Sequence, residues 1–222
     1  MRILYLIASP RPDSYSKKLA DAFVQRCREV HHDVEVDTFD LFRDDLPAFV
    51  APSVEAKYAV MGGGEPVDGA GRAWQGVIAV IERLKAADLL LIAAPMWNFS
   101  IPYALKQWID VITQPGLTFT YAPATGYTGL ITGRPAVLAL ARGGDYSPGS
   151  PTAAYDRQLP YLREILGFIG MEDIRHVIVQ PTLQQGPDVA ADHLDAAMEK
   201  ICALAEEVRV TPRAAPSRTG SR

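Results

Sequence analysis

The sequence predicts an α/β protein: a three-layer α/β/α sandwich on a five-stranded parallel sheet. Three observations carry that prediction. Short apolar runs alternate with amphipathic stretches five times, the pattern of a parallel sheet with crossover helices. The runs at 89–94 and 136–141 are apolar at every position, as strands covered on both faces must be. Right-handed crossovers then leave doubly wound topologies.

Residues 3–8 form the first strand, ended by the breakers Ser9, Pro10 and Pro12. The helix that follows carries Leu19, Ala20, Phe23, Val24 and Cys27 on one stripe. Ser14 or Ser16 caps its start, and Arg26, Arg28, His31 and His32 lie near its C-terminal end, where positive charge suits the macrodipole. Val34-Glu35-Val36 alternates as a second, half-exposed strand. Residues 46–71 break the pattern with Pro47, Pro52, Gly62-Gly63-Gly64, Pro66, Gly69 and Gly71. They read as a loop excursion with room for one helical turn.

Trp74, Val77, Ile78, Ile81 and Leu84 recur at helical spacing. Pro102 opens the helix after the third strand, with Leu105, Trp108, Ile109 and Ile112 as its buried stripe. Beyond the fourth strand, Leu159, Leu162, Leu166 and Ile169 share a helix face, and Gly170 is the expected C-cap. Val177-Ile178-Val179 is the last strand. Leu194, Ala197, Ile201, Leu204 and Val208 stripe the last helix, with Asp188 as its cap. One domain therefore spans 1–210, and 211–222, which has no apolar pattern, is expected to be a disordered tail.

Composition narrows the function. The 222 residues carry 22 Lys+Arg against 26 Asp+Glu, a net charge of −4, which argues against a nucleic-acid partner. Two cysteines, Cys27 and Cys202, are too few for a disulfide scaffold or a structural zinc site. No apolar run nears the ~20 residues of a membrane helix, so no membrane partner is expected. The N-terminus lacks a leader cleavage pattern, which predicts a cytoplasmic protein. The phosphate-loop, dinucleotide, nucleophile-elbow and zinc-protease signatures are all absent, and no metal site is expected.

Ligands of an open α/β sheet bind beyond the carboxyl ends of its strands, which directs attention to loops 9–16, 95–100 and 142–150. Ser9, Ser14 and Ser16 put hydroxyls beside a helix N-terminus, which suits a phosphate and equally suits an ordinary capped, solvated loop. Pro95-Met96-Trp97-Asn98-Phe99 can lay aromatic side chains and backbone donors along a flat ring, or can simply pack the core. Arg142-Gly143-Gly144 allows close backbone approach to an acceptor oxygen, or forms a plain tight turn. Together the three loops describe one cleft with a phosphate end and a ring end. That combination suits flavin mononucleotide (FMN), which the doubly wound fold of strand order 2-1-3-4-5 binds at its switch point.

The segment Ala94-Pro95-Met96-Trp97-Asn98-Phe99-Ser100-Ile101-Pro102, followed by Leu105-Lys106-Gln107-Trp108-Ile109-Asp110, resembles the flavodoxin-like FMN-dependent NADH-azoreductases, also called NAD(P)H:quinone oxidoreductases. Gly116-Leu117-Thr118-Phe119-Thr120-Tyr121, Gly129-Leu130-Ile131-Thr132-Gly133, Ala141-Arg142-Gly143-Gly144 and Leu166-Gly167-Phe168-Ile169-Gly170 resemble the same family in order and spacing. The resemblance implies that Ser9 and Ser14-Tyr15-Ser16 meet the FMN phosphate. It implies that Pro95, Met96, Trp97, Asn98 and Phe99 line the isoalloxazine, and that Ala141, Arg142, Gly143 and Gly144 meet its pyrimidine edge. Trp97 stands where the family usually has Tyr, and Ala141 where it often has Ser or Thr. Asp145-Tyr146 stands near where some members carry a histidine.

The implied activity is two-electron reduction of quinones and azo compounds by NADH or NADPH. Hydride would pass through flavin N5 in ping-pong order, with no protein nucleophile. Phe119 and Tyr121 are candidate substrate contacts, with core packing an equal alternative for Phe119. The resemblance also implies a homodimer, for which the helix bearing Trp108 and the 46–71 excursion are candidate contacts. Alternatives on the same site are another flavodoxin-like NAD(P)H:FMN or metal-ion reductase and a non-catalytic electron carrier. A hydrolase on this fold would need a metal cluster or nucleophile that the sequence does not offer.

Overall fold

The computed structural model describes residues 1–61, 64 and 68–210; the expected tail at 211–222 lies outside the described residues. The strands are β1 (Arg2–Ile7), β2 (Glu35–Asp40), β3 (Leu89–Pro95), β4 (Phe119–Ala122), β5 (Gly126–Gly129), β6 (Ala136–Ala141) and β7 (Ile174–Val179). The helices are α1 (Tyr15–Val30), α2 (Ala51–Met61), α3 (Asp68–Ala86), α4 (Tyr103–Ile112), α5 (Leu159–Phe168) and α6 (Pro187–Glu207). The main sheet is parallel with order β2-β1-β3-β6-β7, the expected 2-1-3-4-5 arrangement.

Side-chain alternation along each strand separates two cores. Ile3, Tyr5 and Ile7 of β1, Leu89 and Leu91 of β3, and Val137 and Ala139 of β6 pack against Leu19, Phe23, Ala197 and Ile201 of α1 and α6. Leu4, Leu6, Leu90, Ile92, Leu138 and Leu140 face the other way, toward Val77, Ile81, Leu105, Trp108, Leu162 and Leu166. A period of two turned against helices on both sides is why these strands read as unbroken apolar runs.

The excursion is corrected by the structure. Within 46–71, α2 occupies eleven residues and α3 begins at Asp68, six residues before Trp74, while Gly62, Gly63 and Pro66 of the expected loop lie outside the described residues. Good helix formers around Glu55, Ala56 and Lys57 outweigh the flanking breakers, and burial of Ser53 and Ala56 anchors α2. A second correction is the antiparallel hairpin β4–β5, which the βα alternation does not contain. Its base is pinned where Gly129 crosses Gly170, and a Cβ on Gly129 would fall 2.2 Å from the Gly170 nitrogen.

Helix ends also differ in detail. Gly170 follows the C-cap Ile169 and has φ +107. Its N–H bonds Gly167 O at 2.9 Å and that of Met171 bonds Leu166 O at 3.0 Å, the paired bonds of a Schellman ending. Gly186, not Asp188, is the N-cap of α6; Pro187 fills the first position and Asp188 adds charge to the first turn. Trp108 is fully buried inside the chain, so it cannot serve as a contact to a second subunit.

Candidate functional site

Because Ala141 pairs with both Pro95 and Val179, while Ile7 pairs with Ala93, the chain leaves the sheet at one edge through Ser9, Met96, Arg142 and Gln180. A cleft of about 510 Å³ opens there. Ser9, Arg11, Ser14 and Tyr15 line one end, and Pro95, Met96, Trp97, Ala141, Arg142 and Gly143 line the rest. Thr182, Leu183, Gly186 and Pro187 close the side.

α1 begins at the first end. Ser14 is its N-cap but makes no side-chain capping bond. Its Oγ lies 2.8 Å from Ser16 Oγ, with both residues buried. The first-turn amides thus keep no side-chain acceptor, and an anion placed there meets open N–H groups, hydroxyls and the positive helix end. Ser9 Oγ accepts the Arg11 N–H at 3.3 Å, folding the loop over the strand end. Ser9, Ser14 and Tyr15 are on the wall as expected, while Ser16 lies behind Ser14 and acts on the cleft through it.

The second wall starts from a strained turn. Trp97 and Ser100 exchange backbone bonds of 3.0 and 2.9 Å around Asn98 and Phe99, whose φ values are +47 and +69. Two positive φ values mark a type I′ turn, which normally takes Asn-Gly. Phenylalanine in that conformation costs about 1–2 kcal/mol. Tertiary contacts hold it: Phe99 O accepts the Arg157 N–H at 2.9 Å, and the Phe99 ring lies 5.3 Å from Tyr155 and 6.3 Å from Tyr146. Trp97 rests on Phe42 and Tyr103, at 5.8 and 6.1 Å between ring centres. Met96 and Trp97 face the cleft, and Asn98 and Phe99 stand exposed at its rim, outside the wall.

The third wall is the exit of β6. Met96 N donates to Ala141 O at 2.8 Å, joining it to the second wall. Arg142 O accepts Thr182 N at 2.9 Å and Thr182 Oγ1 at 3.0 Å, and Gly143 O accepts Leu183 N at 3.0 Å and Gln184 N at 3.1 Å. The N–H groups of Gly143 and Gly144 donate to no acceptor among the described residues. Gly144 sits against the Tyr146 ring and off the wall.

Arg142 departs from expectation. Its main chain lines the cleft, but its guanidinium is buried and bonded inside the protein to Asp156, Gln158 and Gln180, so it is not spent on a ligand. Burial pushes its pKa below the ordinary arginine value, against the opposing pull of Asp156. Asp145 anchors the next loop: its carboxylate accepts Ser147 N at 2.9 Å and Ser147 Oγ at 2.6 Å, bonds that hold its pKa below the usual carboxylate range. Its carbonyl also accepts Thr152 Oγ1.

Phe119 and Tyr121 are not gathered at this cleft. They sit on β4, where Phe119 packs 4.9 Å from Phe168 and Tyr121 packs 5.0 Å from Tyr127. His31 Nε2 pairs with Ala205 O at 2.9 Å, and no group suited to a metal ion occurs among the described residues. Arg11, Thr182, Leu183, Gly186 and Pro187 were not foreseen as lining. Arg11 lay within a loop already singled out. The run from Pro181 to Pro187, full of breakers after the last strand, was a readable signal of a fourth strand-end loop.

A second, wider groove of about 610 Å³ lies over Phe49, Tyr103, Lys106 and Tyr161. Its one lining cation, Lys106, is already paired with Asp110 at 2.6 Å. Of the two, the smaller cleft combines open amides, hydroxyls and a flat aromatic wall, which are the donors and surface that FMN requires.

A family model described as "Flavodoxin-like fold" matches residues 1–205. An FMN-dependent NADH:quinone oxidoreductase of Nitratidesulfovibrio vulgaris (strain DP4) is 48% identical over 207 residues, 92% of this chain and 98% of the relative. An FMN-dependent NADH:quinone oxidoreductase 1 of Bradyrhizobium diazoefficiens is 46% identical over 199 residues, 89% of this chain and 93% of the relative. Among solved structures, an azoreductase from Bacillus anthracis strain Sterne superposes with a TM-score of 0.86 at 28% identity, covering 94% of this chain and 100% of that one. An FMN-dependent NADH-azoreductase from Bacillus anthracis strain Ames Ancestor, solved in complex with FMN, gives 0.81 at 25% identity and covers 92% and 99%.

Proposed function

This chain belongs to the flavodoxin-like family of FMN-dependent NADH:quinone oxidoreductases, and from that membership we infer how its cleft works. The protein is an FMN-dependent oxidoreductase that uses NADH to reduce quinones and azo compounds. One observation carries the site assignment: unspent helix amides with two buried hydroxyls at one end of a cleft, and the unpaired N–H group of Gly143 at the other.

Ser9 and Ser14, with Ser16 behind them and the first-turn amides of α1, would hold the phosphate with neutral donors; Arg11 adds a cation at the mouth. Met96 and Trp97 would lie along the ring system, and Phe42 and Tyr103 keep Trp97 from turning away. Asn98 and Phe99 offer rim amides to the ring edge. Gly143 and Gly144 would meet the pyrimidine side, where preorganised N–H groups stabilise developing negative charge without reorganisation. FMN held there would supply the hydride-transfer chemistry between NADH and the acceptor, in ping-pong order. Phe99, Tyr146 and Tyr155 form an aromatic cluster at the rim, which would border the reacting face.

The protein acts as a homodimer in the cytoplasm, where NADH is made. Support for an interface comes from large apolar side chains left in solvent along α2 and α4, with Tyr58 65%, Met61 58% and Tyr103 67% exposed.

The test is the visible spectrum of the purified protein with FMN, followed by NADH addition without oxygen. The expected result is a yellow protein that bleaches with NADH and recovers colour with a quinone. A protein that takes up no FMN would overturn the reading. Uptake without bleaching would favour an electron carrier.

A further inference from the structure

Arg142 is 2% exposed, and a guanidinium at that depth loses nearly all its hydration. The structure meets that loss with one bond from each guanidinium nitrogen. Nη2 donates to Asp156 Oδ2 at 2.9 Å, Nε to Gln158 Oε1 at 3.1 Å and Nη1 to Gln180 Oε1 at 3.3 Å. Each partner belongs to a segment that shapes the cleft. Gln158 passes the connection on through Nε2 to Ala94 O at 3.3 Å, at the end of the strand that leads into Pro95–Trp97. Gln180 Oε1 also accepts the Tyr146 N–H at 3.2 Å, two residues past Gly144. Asp156 Oδ1 caps the approach to α5 by accepting Gln158 N at 2.9 Å. The segments leaving β3, β6 and β7, and the segment entering α5, thus meet on one side chain.

We propose that Arg142 is a positioning residue for the redox reaction: its buried fork locks these strand ends so that the Gly143 N–H group stays aimed at the flavin edge that gains charge on reduction. The proposal rests on the reading of the cleft as an FMN site. Hydride from NADH, which leaves as NAD⁺, adds one negative charge to the flavin. Rigid donors bind the charged form more tightly than the neutral one; loose donors lose that preference because they must reorder first. A lysine carries the charge but cannot bond three partners in one plane, so arginine is the residue type the arrangement needs.

The experiment compares Arg142→Lys, Arg142→Met and the double variant Arg142→Met with Asp156→Leu. The double variant removes both buried charges together, which such pairs tolerate, and carries the test if the single Met variant does not fold. Affinity for oxidised FMN is read by fluorescence titration. The two-electron midpoint potential is read by dye-equilibrated titration. In the Met-containing variants reduced FMN is expected to weaken tenfold more than oxidised FMN, a potential lower by about 30 mV. Arg142→Lys should fall between these and the parent.

An unchanged potential, with both forms weakened equally or not at all, would overturn the proposal and leave Arg142 as packing only. If the parent chain itself takes up no FMN, the flavin reading fails and this inference falls with it. A parent that binds FMN while the variants leave its potential in place isolates the failure to Arg142.

Discussion

At the α1 end of the cleft, Ser9, Ser14 and Ser16 come from one strand exit and the first turn of the helix that follows it. At the β6 end the wall comes from 95–97, 141–143 and 182–187, and 156–158 and Gln180 brace it from behind through bonds of Arg142 and Gln158. The first end is local and unstrained: an N-cap, two hydroxyls and the amides every helix start leaves open. The second stores strain in Phe99 and buries a cation in Arg142, and both are held in place by distant segments. An anion site can be made by secondary structure alone, whereas a wall shaped to a ring needs tertiary over-determination.

The comparison can be broken at its local end first. Ser14→Asp should lower FMN affinity by about 100-fold or more, since a like charge set against the phosphate costs several kcal/mol. Riboflavin, which lacks the phosphate, should bind parent and variant alike. A parallel loss of riboflavin affinity would mean the two ends are not independent.

Trp97→Ala should instead weaken FMN and riboflavin together, by roughly tenfold, as loss of one ring-stacking surface predicts. A selective loss of FMN would place Trp97 at the phosphate end. Phe99→Gly sharpens the strain argument. Relief of about 1–2 kcal/mol of backbone strain offsets the lost ring contacts, so stability should stay within about 1 kcal/mol of the parent while turnover falls. A large drop in melting temperature would show that the turn is not strained.

Gly143→Ala is expected to do little. The added Cβ meets Leu183 Cδ1 at 3.0 Å, but Leu183 is 76% exposed and its tip can swing away. FMN affinity should change by no more than about twofold, because the backbone N–H is retained.

The smallest effect concerns pH. His176 has its pKa lowered from 6.5 by burial, with Arg163 and Arg142 adding repulsion and Asp156 opposing them. The unfolded chain therefore binds this proton more readily than the folded one. Stability should be full above pH 6.5 and decline as pH falls below it, and His176→Gln should flatten that slope in thermal unfolding.

Legibility followed range. The stripes Leu105, Trp108, Ile109, Ile112 and Leu19, Phe23, Cys27 were readable because periodicity is a property of neighbours. α2 was obscured by breakers on both sides of it, and β4–β5 by strands of four residues outside the main sheet. Ser9, Ser14 and Tyr15 stand on the wall as expected, since a strand exit beside a helix start is local. Thr182, Leu183 and Gly186 were missed because nothing in their own segment says which strand end they fold beside.

By itself the sequence determined the layering, the parallel sheet and the helix start that offers its amides, because each is set by residues a few positions apart. Tertiary structure decided that Trp108 is core, that Phe119 packs on Phe168 of α5 and Tyr121 on Tyr127 across the hairpin, and that Arg142 binds protein partners. A side chain's role depends on which partners reach it, and for a buried guanidinium those partners come from segments that only the closed sheet brings together.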